Sequence, residues 1–182
     1  MAKRFIKSVF ILILISSVCI FSGCGDSKQE EQKEEIAREV YEAPLKNYME
    51  GLKNRDINLV LQAFPEFMQT FTQADLDSIY ANYEAMYGSN IIMEYKLGDS
   101  VKVKEQKDLD ILASQIREYY PDAGDIQVTA AYIITVELSI SGDGVANEQT
   151  AEGEDKETTA NNKKTDSQDF YVYRYNDNWY MF

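Results

Sequence analysis

Residues 126–140 read IQVTAAYIITVELSI. Every even position is apolar: Ile126, Val128, Ala130, Tyr132, Ile134, Val136, Leu138 and Ile140. The odd positions between them are mostly polar. A period of two sustained over fifteen residues lays one face of an extended chain on a core, so the stretch predicts a long, half-buried strand. The rest of the fold is read outward from it.

Downstream, residues 142–167 (GDGVANEQTAEGEDKETTANNKKTDS) break the alternation. Beyond Val145 they offer no large apolar side chain, so the segment is expected to remain disordered. So long a connection is uncommon inside a compact domain. The pattern resumes with DFYVYRY (169–175), turns at NDN (176–178) and closes on WYMF (179–182), a terminal hairpin with Trp179 as a core anchor.

Upstream, KDLDILASQIREYY (107–120) returns to helical spacing through Leu109, Leu112, Ala113, Ile116 and Tyr120. Before it, NIIMEYKLGDSVKVK (90–104) predicts a strand bent at Gly98. Thr72 followed by Asp75 forms the pattern of a capping box. The helix it opens carries Leu76, Ile79, Tyr80, Tyr83, Met86 and Tyr87 on one stripe and stops at Gly88. A short helix is expected over INLVLQAFPEFM (57–68), ended or kinked by Pro65. Pro44 is placed to be the first residue of a helix bearing Leu45, Tyr48, Met49 and Leu52 on one face. Helices first, then strand, helix, strand and hairpin, predict an α+β domain. N-terminal helices would pack on a curved, mainly antiparallel sheet of about four strands, cone-like in shape.

The chain has 182 residues, 45% hydrophobic and 12% aromatic, with thirteen tyrosines. The formal charge is −13. Lys3, Arg4 and Lys7 lie in the first 23 residues, which carry no acid. The remaining 15 basic residues therefore face 31 acidic ones, a charge of −16. A surface that acidic repels phosphate backbones, which excludes nucleic acid as a partner. Histidine is absent. The usual general base, the commonest metal ligand and the pivot of Ser-His and Cys-His pairs are therefore missing. The chain reads as a non-enzyme, with no cofactor expected.

The N-terminus opens with basic MAKRFIK, followed by a fourteen-residue, mostly apolar stretch, SVFILILISSVCIF (8–21). That run is too short to span a bilayer comfortably but has the length of a signal h-region. Ser22 and Gly23 then precede Cys24, and from Gly25 the chain turns polar. The pattern resembles a bacterial lipoprotein signal with its lipobox, with Phe21 standing where that family usually has Leu. The resemblance implies cleavage before Cys24 and a diacylglyceryl group on its thiol. The protein would then be held at the cell membrane, facing the extracytoplasmic side. An ordinary secretory leader with an incidental cysteine, or an uncleaved anchor, are the plainer alternatives. Cys19 lies inside the apolar run and would leave with the leader, so the mature chain has no disulfide. The expected organisation is a signal peptide over 1–23, a polar tether over 24–43 and the α+β domain over 44–182, with the acidic loop inside it.

The order of elements is similar to that of the nuclear transport factor 2-like (cystatin-like) superfamily. The likeness is carried by GLKNRD (51–56) ending the amphipathic opening helix, the strand at 126–141, and YNDNWYMF (175–182). It implies a curved sheet wrapped about the first helix, leaving a conical pocket used for catalysis in some members and for ligands or partners in others. Catalytic members place Asp, His or Tyr there, so here only a carboxylate–tyrosine chemistry is left open.

Tyr171, Tyr173 and Tyr175 share one face of a strand, with Tyr180 as a neighbour, and form the candidate binding site. Exposed, they would be an aromatic platform for a sugar or peptide. Covered, they are sheet packing, where aromatic residues are favoured anyway. The acidic residues Asp143, Glu148, Glu152, Glu154, Asp155 and Glu157 lack the ligand spacing and glycine turn of a calcium loop, and NDN at 176–178 is turn chemistry, so no metal site is expected. The stripe of Tyr48, Met49, Tyr83, Met86 and Tyr87 reads as helix–sheet core before it reads as a pocket lining. Three roles follow: a domain binding a small ligand or a protein partner, an envelope structural protein with a filled interior, and, last, a carboxylate–tyrosine enzyme. A buried, unpaired acid in a pocket would favour the enzyme, an open apolar pocket a ligand, and a filled interior with an exposed apolar patch a partner.

Overall fold

A computed structural model describes residues 27–145 and 161–182. The predicted leader, Cys24, and Glu148, Glu152, Glu154, Asp155 and Glu157 lie outside these residues. The fold is α+β: four helices and a four-stranded, antiparallel, curved open sheet, as the period changes along the sequence predict. The elements are α1 Ser27–Asn54, α2 Ile57–Gln62, α3 Gln73–Tyr87, β1 Ile92–Lys102, α4 Gln106–Tyr119, β2 Ala130–Val145, β3 Asn161–Tyr175 and β4 Asn178–Met181. The strands run in sheet order β1-β2-β3-β4.

The alternating stretch forms the inner strand β2, but it serves two cores. Ile134 and Val136 pack beneath α1 with Tyr41, Leu45, Met49, Val172 and Met181. Ala131, on the opposite face, joins Leu109, Leu112, Ile116 and Tyr173 beneath α4. Ile126 and Val128 belong to this second cluster and precede the strand, which starts at Ala130. A helix docked on each face of the same strand breaks the single-face pattern that the sequence presents.

Helix α1 begins well before Pro44, which lies inside it. The expected start at Pro44 is thereby corrected. An interior proline removes one backbone hydrogen bond and costs about 3 kcal/mol. The helix continues through it because residues upstream are held by the sheet: Tyr41 and Glu42 are both buried. Its apolar stripe, Tyr41, Leu45, Met49 and Leu52, repeats at three to four residues and faces the strands. At Gly51 the backbone of α2 passes so close that an added Cβ would lie 2.6 Å from the Val60 amide nitrogen. The Tyr80 hydroxyl donates to the carbonyls of Leu52 and Lys53, at 2.6 and 3.1 Å, and so closes the end of α1.

The capping box at α3 is formed: the Asp75 amide donates to Thr72 Oγ1 at 3.3 Å and the Thr72 amide to Asp75 Oδ2 at 2.9 Å. Residues 142–145 and 161–167, expected to be loop, are strand. Gly142 and Gly144 let β2 approach the end of α3, where a Cβ on either would come within 2.4 and 2.6 Å of the Tyr87 carbonyl oxygen. The backbone ladder with β3, from Val145↔Asn161 onward, orders residues that carry little apolar surface. The turn at 176–178 is a two-residue hairpin loop, with Asn176 and Asp177 both at positive φ (47° and 61°), the conformation that matches strand twist.

Candidate functional site

The tyrosines of β3 do not form a surface platform. Tyr173 is fully buried beneath α4, its hydroxyl donating to Met68 Sδ at 3.2 Å. Burial pushes its phenol well above the ordinary value. Tyr171 and Tyr175 are half-buried against the same cluster, Tyr175 meeting Phe67 edge-on at 6.0 Å. Tyr180 lies beside Tyr173 and Tyr175, as the alternation implies. The platform reading is corrected because α4 docks on that face. Of the Tyr–Met stripe, Tyr48 and Met49 pack in the core as expected, and Tyr83 packs partly buried beside Tyr80, whereas Met86 is 56% exposed.

A groove of about 720 Å³ lies between α1 and the rim of β1 and β2. Its lining includes Glu35, Arg38, Tyr41, Glu42, Ser100 and Tyr132. Helical spacing brings Arg38, Glu42 and Lys46 onto one side of α1, one turn apart. Glu42 is the one charged residue buried among those described, and both its oxygens are engaged: Arg38 Nε at 2.5 Å and Lys46 Nζ at 3.1 Å. The Glu42 contact raises the pKa of the Arg38 guanidinium. The cations are themselves about half in water, so their attraction offsets the burial of the carboxylate without a large surplus.

Two further contacts tie this part of α1 to the edge strand. Arg38 donates through Nη2 to the Gly98 carbonyl at 2.8 Å, and the Tyr41 hydroxyl shares a 2.7 Å hydrogen bond with Ser100 Oγ. Gly98 lies where the β1–β2 register shifts, between Leu97 and Ser100, which is the bend expected at that glycine. Tyr41 stacks on Tyr132 with centroids 3.9 Å apart and planes at 11°, and Trp179 leans on both at 5.8 and 5.7 Å. Trp179 therefore anchors an aromatic cluster that floors the groove, as a partly buried side chain.

A carboxylate–tyrosine pair does exist, Tyr95 donating to Glu50 Oε1 at 2.9 Å. Burial and the neighbouring carboxylate push this phenol up to about 12, which makes it a hydrogen-bond donor and a poor base or nucleophile at neutral pH. A second, smaller hollow of about 320 Å³ is bordered by Asp125, Thr129, Tyr175 and Asp177. Among the described residues, no three His, Cys, Asp or Glu side chains gather as metal ligands. Nor, among them, is any helix long and apolar enough to cross a membrane. The described core residues pack into three hydrophobic clusters, and among the described residues no buried side-chain polar atom is unpartnered.

The groove residues Arg38, Tyr41, Glu42 and Lys46 fall across the boundary between expected tether and body. The charge spacing in IAREVYEAPLK (36–46) was a usable signal, but burial of Glu42 depends on a sheet formed fifty residues later. Comparison of the chain with protein-family models, curated proteins and solved structures finds no match.

Proposed function

We propose that this chain is a membrane-anchored lipoprotein, acylated on Cys24 and facing the extracytoplasmic side, whose α+β body binds a partner without catalysing a reaction. The leader pattern ending at Cys24 supports the anchor, since two acyl chains supply the double signal that stable membrane attachment needs. Helix α1 starts at Ser27, almost at the acylated residue, so the body is carried on a helix rather than a flexible coil.

One observation carries the non-catalytic reading. The buried acid beside the groove, Glu42, is paired on both oxygens, whereas a catalytic carboxylate needs a free oxygen aimed at substrate. The packing of the described core residues into clusters favours a partner bound on the outside over a small ligand held within. The groove, with mixed charge and an aromatic floor, is the surface this reading assigns to the partner.

Fractionation of cells producing the full chain tests the anchor. The protein should sediment with membranes and be digested by protease added to intact, wall-stripped cells; Cys24→Ser should shift it out of the membrane fraction. A photocrosslinker at Glu35 tests the surface: adducts of protein size are expected there and not from Lys163 on the opposite sheet face. Equal adducts from both positions would contradict the assignment.

A further inference from the structure

We infer that residues 27–43 of α1 form an arm that pivots at Pro44 and is clasped to the β1 bulge by Arg38 and Tyr41, so that the groove opens when the clasp releases. The pivot follows from covalent chemistry. Pro44 has no amide hydrogen to give the Val40 carbonyl, so α1 lacks one rung where arm meets body. The clasp follows from the contacts on either side of that missing rung.

Downstream of Pro44, Leu45 and Met49 are fully buried and fix the helix to the sheet. Upstream, Tyr41 alone packs its ring into the core, on Tyr132 and Trp179, and the rest of the arm's hold is polar and shallow. Ile36 and Val40 are 63% and 54% exposed. Arg38 reaches the Gly98 carbonyl and Tyr41 reaches Ser100, both on β1 around the register shift. Glu42 and Lys46 form an ion pair that straddles Pro44, and Arg38 joins the same carboxylate from the arm side. Helices in proteins owe most of their stability to tertiary packing, so the arm's order depends on these contacts and on the Tyr41 ring. The arm is also one wall of the groove, through Glu34, Glu35, Arg38 and Tyr41. Its release therefore widens the groove whether or not Cys24 carries lipid, which keeps this inference separate from the anchor.

Amide hydrogen exchange on the full-length chain in detergent reads the device directly. Arg38→Ala should speed exchange over residues 34–42 by roughly five- to tenfold, the effect of losing charge-assisted bonds that are partly in water, and leave residues 45–54 unchanged. Tyr41→Phe, which keeps the stacked ring, should act in the same direction and less. Adding Pro44→Ala to Arg38→Ala restores the missing rung and should slow the arm again. Three results would overturn the inference. They are no change in Arg38→Ala, an equal rise over residues 45–54, and a double variant that exchanges as fast as the single one.

Discussion

Tyr173 and Tyr171 are neighbours on one face of β3, yet they differ in what surrounds them, and the difference has a measurable consequence. Tyr173 is fully buried, so Tyr173→Ser removes a large aromatic side chain from a closed core and should cost about 3–5 kcal/mol. Tyr171→Ser, at a half-buried position, should cost about half as much or less; urea unfolding of the two variants checks the ranking. Glu42 is the other decisive residue. Glu42→Ala should destabilise the fold by about 1–2 kcal/mol, below the 3–5 typical of a fully buried pair, because Arg38 and Lys46 are half exposed and rehydrate when freed. Tyr95 sets an alkaline limit. Its folded pKa, about 12, lies above the ordinary phenol value near 10, so its contribution is complete below pH 10 and lost as pH rises through 12. The urea midpoint should therefore fall between pH 10 and 12, and Tyr95→Phe should flatten part of that fall.

Among the elements, β2 and the capped helix α3 were legible because their signals are local. A period of two, or a threonine with an aspartate three residues on, needs no knowledge of distant chain. The start of α1 was not. Proline at the first helical position is the commonest local reading of Pro44, and only contacts between Tyr41 and the later strands override it. The lost tyrosine platform has the same cause, since which face of β3 α4 covers is set by packing and not by the alternation itself. The GDG at 142–144 read as loop because glycine is a breaker in isolation; here it lets β2 meet the end of α3. Glycine is likewise required in α1. Gly51→Ala would gain about 1 kcal/mol of helix propensity, but its Cβ would meet the backbone of α2 at 2.6 Å, an unyielding contact costing roughly 1–3 kcal/mol. The net change in unfolding free energy should be a loss.

For the molecule as a whole, the fold class followed from the sequence, while the groove depended on α1 running past its apparent start. That continuity changes the expected mechanics. On the proposed anchor, a coil of the tether's length would let the body wander, whereas a helix rising about 1.5 Å per residue from Ser27 would set its distance from the membrane. On the same proposal, the charge of residues 24–182, −16, would keep the body from lying on anionic headgroups and leave α1 as the connection. All of this rests on the lipid. Mass spectrometry of the N-terminal peptide from protein purified out of native membranes tests it most directly. The account predicts a chain that begins at Cys24 and carries the added mass of a diacylglyceryl group on that cysteine. A chain that retains Met1 and residues 2–23, or one that begins at Cys24 with an unmodified thiol, would contradict it.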